Sequence, residues 1–403
     1  MGAVEGGSVT SPPSPLHHKE SPSFAADRAA YWRLLRGLGP VVKIDTGKPE
    51  LRGYYLTRRD DVRAALRDPD TFVSPPKTFK LALGGVPLPQ APLSIGTRSE
   101  HARFASVLHP LFSPKGLAPY APALRAQAAT LIDTIVAKGQ CDATNVVDNY
   151  ACQAMCTVCG MPGKRPARLI QAAVIGDANG AAELALLKWL NAQLGAEMGN
   201  PARPPGVLWP LVDGLGGDSD FPLSRFEVTA VILLLFSVAG IEMIAAAIGF
   251  TLLHLARDPR LQAQLREDPA QIPAFVEEML RLEAPGPAIP RFTSREVEIG
   301  GVTIPAHSSV WLALEAAGRE NGGDEIATAS DGKIRRQRHW AFGGGMHRCL
   351  GLYLARLEMA EFVTEWLSRI PQFELAAGAA PAIVHKPIGV THLDSLMLHW
   401  EAR

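Results

Sequence analysis

The chain has 403 residues, enough to bury a large core, and its 40 Lys and Arg balance its 40 Asp and Glu. That balance excludes bulk charge as a basis for binding nucleic acid or an anionic membrane. Its five cysteines, an odd number without a paired framework, argue against a disulfide scaffold and for a reducing compartment.

The N-terminal stretch MGAVEGGSVTSPPSPLHHKESPSF has no apolar run of the signal-peptide kind, and its Gly, Ser and Pro content predicts a flexible arm over residues 1–24. AADRAAYWRLLRGLGP then predicts a helix stopped at Gly39-Pro40. Tyr54–Thr57 reads as a strand, and Arg59–Arg67 as a short helix ended by Asp68-Pro69. The proline-rich residues 73–97 predict a long surface loop and a lid. SEHARFASVLHPLF is helical in pattern, with Ser99 as N-cap. PALRAQAATLIDTIVAKG, NVVDNYACQAMCTVCGMP and residues 166–199 continue the helical texture.

Residues 228–256, VTAVILLLFSVAGIEMIAAAIGFTLLHLA, are long and apolar enough to cross a bilayer. Glu242 at mid-span, costly in lipid, and Gly240 beside it favour a buried central helix instead. Short helices follow to Arg281. From Arg291, RFTSREVEIGGVTIPAHSSVWLAL alternates polar and apolar about a Gly-Gly turn, which predicts strands, and VTHLDSLMLHW predicts a last strand. No repeat or linker divides residues 25–403, so one domain is expected, mainly α with a small β-rich lobe.

Two cysteine arrangements carry chemical interest. Cys152, Cys156 and Cys159 share one helical face, a spacing that invites a metal reading; structural zinc takes four ligands from turns, so a buried thiol-lined face is the expectation. Cys349 is different. It follows three glycines in HWAFGGGMHRCLGLYLARLEMAEF and precedes a helix whose Leu354, Leu357, Ala360 and Val363 form one buried face. At a helix N-terminus the free N–H groups favour an anion, which lowers a cysteine pKa. A nucleophile would fit that position; a thiolate holding iron fits better, because His347 and Arg348 flank it as partners for a carboxylate-bearing macrocycle.

FGGGMHRCLG, Phe342 to Gly351, resembles the FxxGxHxCxG haem-binding signature of the cytochrome P450 family, with Gly345 at the inner glycine. Glu278 and Arg281 in FVEEMLRLEAP are similar to its ExxR pair. PRFTSREVEIGGVTIP resembles its sheet segment, with Arg291 at a position that meets a haem propionate, and SEHARF places His101 and Arg103 where its haem-facing helix carries propionate ligands. The resemblance implies a cytochrome P450 fold, haem b (iron protoporphyrin IX) held by Cys349, cytoplasmic location without a membrane anchor, and electrons from a ferredoxin or flavodoxin with its reductase. A docking face would be Lys333, Arg335, Arg336, Arg338 and Arg348.

The chain departs from the family in the central helix. A-G-x-[D/E]-T becomes Ala239-Gly240-Ile241-Glu242-Met243, keeping the acid and losing the alcohol. Methionine donates no proton. Three outcomes stand open: water or substrate replaces the hydroxyl and oxygen is inserted; hydrogen is abstracted without oxygen insertion, as in ring closure or coupling; or peroxide is used or released. Glu242 is the expected proton-relay acid, with Gly240 giving oxygen room. Ser237, Met243, Ala288, Ile289, Val390, Thr391 and His392, with the 73–97 loop, are the expected substrate roof. The segment GRENGGDEIATASDGKIRRQRHW lacks the usual F-x-P-x-R, leaving open which of Arg335, Arg336 or Arg338 completes the Glu278–Arg281 network. The implied function is tailoring of a small specialised metabolite; a steroid or fatty-acid hydroxylase, or a haem sensor or electron carrier, are the alternatives.

Overall fold

The computed structural model describes residues 16–45, 48, 52–74, 82–83, 86–87, 98–161, 185–186, 188–190, 192, 195–196, 200–217, 221–236, 238–385 and 390–402. Residues 73–97 and 166–199, expected to be a loop and a helical stretch, lie for the most part outside them, and Val73 belongs to the strand Phe72–Val73.

Helices build most of the described chain. Arg98–Leu111, Ala121–Val136, Ala143–Val158, Met243–Ala256, Ile272–Leu282 and Leu352–Arg369 contribute to one apolar cluster. At its centre Met243–Ala256 is enclosed nearly all round, so the apolar periodicity that would suit a bilayer is satisfied by protein: the Ala239–Ala256 window is 83% buried. The expected single helix over 228–256 is in fact interrupted. Arg225–Leu235 ends, a π-type turn spans Val238–Glu242, and Met243–Ala256 follows. Gly240 makes the wide turn possible, since a Cβ there would collide with the Leu235 carbonyl and with Met155 Cε.

Cys152, Cys156 and Cys159 line the buried face of Ala143–Val158 and its end, where burial pushes the Cys156 and Cys159 thiols up. Cys159 Sγ lies 3.6 Å from Met155 Sδ, so this face is a sulfur-rich bed beneath the wide turn.

The β-lobe holds a five-stranded sheet ordered Val41–Ile44, Gly53–Leu56, Ser309–Leu312, Ile289–Thr293 and Phe72–Val73. Gly53–Leu56 runs parallel to Ser309–Leu312, and the other pairs are antiparallel. Gly300 and Gly301, at φ +55° and +78°, turn the Val297–Ile299 and Val302–Ile304 hairpin as the Gly-Gly pair predicts.

Two expectations need correction. The arm does not stay free to residue 24: His17, His18, Ser21 and Phe24 are buried, and Ser21 caps the helix Pro22–Ala26. The rings of Tyr55, Trp32 and Trp311 supply an apolar bed for a segment whose composition alone suggests solvent. The final strand is two, Thr391–Leu393 and Met397–His399, in different sheets. Asp394 bends the chain between them, accepting the N–H groups of Ala382 and Ser395.

Candidate functional site

The Cys349 loop is fixed by glycine geometry. Gly343 and Gly345 take φ +63° and +64°, and a Cβ on Gly345 would strike the Leu66 carbonyl of the helix Arg59–Arg67. The loop therefore seats flush on that helix. Phe342 O accepts the Cys349 N–H at 2.9 Å, and Gly351 caps the helix Leu352–Arg369. A Cβ built on Gly351 would stand 3.9 Å from Cys349 Sγ, which places the sulfur at the helix N-terminus.

The expected lowering of the Cys349 pKa does not hold in the protein alone. Desolvation by the loop raises it, and outweighs the Gly351 N–H, Arg356 and Arg348, which pull it down. Cys349 is nonetheless exposed at its surface, so the sulfur stays open to a cation that would favour the thiolate, as a metal does.

A network that the sequence analysis missed props this loop. Glu277 accepts hydrogen bonds from Arg356 Nη2 and His339 Nε2, each at 2.9 Å, while the Arg356 guanidinium lies 4.6 Å from the Phe342 ring centre. Burial opposes ionisation of Glu277, but these two donors overcome it and hold its carboxyl at about 2. The available signal was the doubled acid Glu277-Glu278, whose two side chains serve two networks.

Glu278 and Arg281 are fully buried and paired, Nη2 to Oε2 at 2.7 Å and Nε to Oε2 at 3.1 Å. Arg281 also donates to the carbonyls of Gly323 and Glu325, each at 2.6 Å, and a Cβ on Gly322 would come within 2.8 Å of its Nη1. Among the described residues no further arginine joins the network. Glu278 accepts the backbone N–H groups of Gln337 at 2.9 Å and Ala327 at 3.0 Å, so peptide donors replace the side chain that the family pattern suggests. Arg335, Arg336 and Arg338 are exposed, as are Lys333 and Arg348.

Of the four expected propionate partners, His101 and His347 lie ring to ring, Arg291 is buried, and Arg103 is tied up in a surface ion pair. His101 is buried with its ring edge-on to His347, centroids 5.5 Å apart; burial, then His347 and His109, lowers its pKa. Arg291 is buried and pulled down to about 10 by desolvation; among the described residues it has no carboxylate partner, only the Pro290 carbonyl at 2.8 Å. A guanidinium so placed is fitted to an anionic group from outside the chain. Arg103 faces the other way, pairing with Glu227 at 2.8 Å and the Pro222 carbonyl at 2.7 Å. Positions two apart on a helix lie on nearly opposite sides, so His101 turned inward sends Arg103 outward.

At the end of the wide turn Glu242 is buried, and Met243, which opens the next helix, is half-buried. Met243 Cε would stand 3.3 Å from a Cβ on Gly286, which puts it against the loop that follows the Ile272–Leu282 helix. Ala288 is buried, and Ile289 opens its strand. Val390 and Thr391 are fully buried behind that loop: Thr391 N–H donates to Pro285 O at 2.8 Å and its hydroxyl meets His385 Nδ1 at 3.1 Å. His392 is half-buried, with Nδ1 2.9 Å from the Leu393 carbonyl. Ser237 lies outside the described residues. One sulfur at a helix N-terminus, a buried arginine in want of an anion, a histidine pair and a glycine-widened helix together fit an iron porphyrin bearing carboxylates.

Comparison with known proteins agrees. The family model described as "Cytochrome P450" matches residues 217–322. A "Probable cytochrome P450 127A1" of Sinorhizobium fredii is 31% identical over 359 residues, 86% of this chain and 83% of that protein. "Pentalenic acid synthase" of Streptomyces avermitilis is 28% identical over 320 residues, 75% of this chain and 74% of that one. Among solved structures, the tirandamycin C-bound P450 monooxygenase TamI superposes with a TM-score of 0.81 at 23% identity, covering 96% of this chain and 100% of that one.

Proposed function

The chain belongs to the cytochrome P450 family, an oxidoreductase family whose members hold haem, and from that premise we propose that it is a haem b enzyme tailoring a small specialised metabolite. The observation that carries the reading is the position of Cys349 Sγ beside Gly351 at the head of the Leu352–Arg369 helix, in a loop that only glycines let close on Leu66. Bound haem supplies the activation of dioxygen, with the cysteine thiolate pushing electron density toward it.

The chain's own residues do the rest. Cys349 would hold the iron within the cradle of Phe342, Gly345 and Gly351, and Arg291, His101 and His347 would hold the carboxylates; Glu278–Arg281 and Glu277–Arg356–His339 keep the loop in place. Glu242 holds the proton for the distal side, and Gly240 keeps the helix backbone wide there. Met243 presents a thioether in place of a hydroxyl, so the last proton comes from water or substrate, or no oxygen is inserted and the substrate is coupled or cyclised. Ala288 and Ile289 border the substrate side, and Val390 and Thr391 support it from behind. The relative named for making pentalenic acid, at 28% identity, supports a small-metabolite substrate.

Electrons come from a ferredoxin or flavodoxin with its reductase, docked on Lys333, Arg335, Arg336, Arg338 and Arg348, all exposed near the cysteine loop. We place the enzyme in the cytoplasm, with residues from about His17 to the C-terminus as one haem-thiolate domain; among the described residues no disulfide is formed.

The test is optical. Reduced protein under carbon monoxide gives the red-shifted band of thiolate-ligated haem, and Cys349→Ser abolishes it; a histidine-type spectrum in the parent rejects the assignment. Reductant consumption that depends on added substrate then separates an enzyme from a sensor or carrier. Met243→Thr lowers peroxide release and increases the oxygenated share of product, whereas an unchanged profile reduces Met243 to packing.

A further inference from the structure

A second cluster of titratable side chains lies outside the Cys349 pocket. His17 and His18 from the arm meet His385 of the strand Ile383–His385, with ring centroids 4.3 Å apart between the first two and 5.7 Å between His18 and His385. His18 Nδ1 is 2.6 Å from Tyr55 Oη, and His17 stands edge-on to Trp311 at 4.5 Å. Both residues are essentially inaccessible, at 0% and 1% exposure, and among the described residues the Nε2 of each has no hydrogen-bond partner.

The cluster is joined to the substrate side by consecutive contacts. His385 Nδ1 meets the Thr391 hydroxyl at 3.1 Å, Thr391 N–H donates to Pro285 O at 2.8 Å, and the next residue, Gly286, abuts Met243 Cε. We propose that His17 and His18 form an acid-released strap that, through His385 and Thr391, fixes the Pro285–Gly286 loop over Met243 and so acts as a positioning device for the substrate pocket. The inference rests on the reading that Met243 borders that pocket.

The charges around the cluster explain the acid sensitivity. Facing it are Lys19 on the arm, Arg28 of the helix Arg28–Leu38 and His392 of the strand Thr391–Leu393, with the phenols of Tyr55 and Tyr31. The acids nearby, Glu283 and Glu315, are paired with Arg28, and Glu20 is paired with Lys48. A proton on any of the three rings is therefore buried among cations. Desolvation, then Lys19, lowers His17 to about 3 and His385 to about 4, and desolvation, then His17, takes His18 well below 6.5. The docked arm binds fewer protons than the released arm. Docking is thus complete above 6.5 and weakens as the pH falls below it, by about tenfold per pH unit for each histidine that leaves the cluster.

Hydrogen exchange on the haem-loaded enzyme tests this, with rates corrected for the intrinsic pH dependence. Between pH 7.5 and 5.5, amides of 17–26, 383–385 and 391–393, the Thr391 N–H bonded to Pro285 O among them, lose protection at least fivefold, while the Ile272–Leu282 helix keeps its own. In His17→Phe/His18→Phe, which retains ring packing and cannot titrate, the loss at the Thr391 amide disappears; should that variant fail to accumulate, the wild-type comparison decides alone. The affinity for n-butyl isocyanide, a non-titrating haem ligand, shifts at least threefold over the same pH step. Equal protection of the Thr391 amide at both pH values overturns the strap. Lost protection with unchanged isocyanide affinity overturns the link to the pocket. A parent without the thiolate–carbon monoxide band would instead overturn the functional reading.

Discussion

The two faces of the haem pocket are built on opposite plans. On the cysteine side, one buried and one half-buried network, two left-handed glycines and a helix N-terminus converge on one sulfur. On the other side a single glycine widens a helix over an adaptable bed of Met155 and Cys159, and the roof loop is tied by backbone hydrogen bonds from Thr391 to Pro285 and from Glu315 to Pro287. The ligand side must hold one geometry whatever is oxidised. The substrate side is where members of one family differ, and loosely determined packing is what allows that.

The contrast is broken most severely from the ligand side. Arg281→Met leaves Glu278 buried and uncompensated, with Gln337 and Ala327 N–H groups as its remaining donors. The cost is about 3–5 kcal/mol of stability. Chemical denaturation and the haem-to-protein ratio after purification report it. Retention of full haem and stability would mean that the peptide donors alone secure the loop.

Gly240→Ala addresses the other face. The added methyl meets the Leu235 carbonyl and Met155 Cε, and only the second of these can move. Overpacking of this kind costs about 1–3 kcal/mol. Because Met155 is flexible, Gly240→Ala/Met155→Ala recovers part of the loss, whereas no comparable second change rescues Arg281→Met. Thermal unfolding of the three variants checks the difference.

How much of this was legible follows the same division. The Cys349 loop could be read because its glycines, histidine and cysteine lie within ten consecutive positions and each has a steric or electrostatic reason there. The wide turn could not, because a segment apolar on every side carries no helical phase for an interruption to break. Glu277 was missed because its partners, His339 and Arg356, lie far along the chain, and distance in sequence hides an ion pair. Arg103 was misplaced for a simpler reason: a family position was carried over without asking whether one helix face can present both it and His101. The arm was misread because composition describes the chain's own preference and not the aromatic surface that covers it.

Glu358 stands where the two faces meet, on the cysteine-side helix but turned toward Cys159 and Tyr150. It is fully buried, neither carboxylate oxygen has a partner among the described residues, and desolvation raises its pKa well above the usual carboxylate range. Folding therefore keeps the proton that the unfolded chain gives up above about 4.5, and stability contributed by the neutral acid declines as pH rises through neutrality. Glu358→Gln, isosteric and uncharged, removes that slope, so the variant gains on the parent at pH 8 and gains little at pH 4. Equal differences at both pH values would mean that Glu358 is ionised and paired in solution.

The smallest effect belongs to Arg103. Its guanidinium is 43% exposed and bonded to Glu227 and the Pro222 carbonyl, so Arg103→Ala removes a surface tie worth about 0–1 kcal/mol, at the low end because solvent screens it. Haem affinity and the carbon monoxide spectrum stay as in the parent. His101→Ala, two residues earlier and facing His347, lowers haem retention. The pair of variants separates two explanations that the family pattern merges. If both residues bind propionates, both variants lose haem; if the helix turns only one of them inward, only His101→Ala does. Equal losses would require the helix Arg98–Leu111 to rotate when haem binds, breaking the Arg103–Glu227 pair to bring the arginine in.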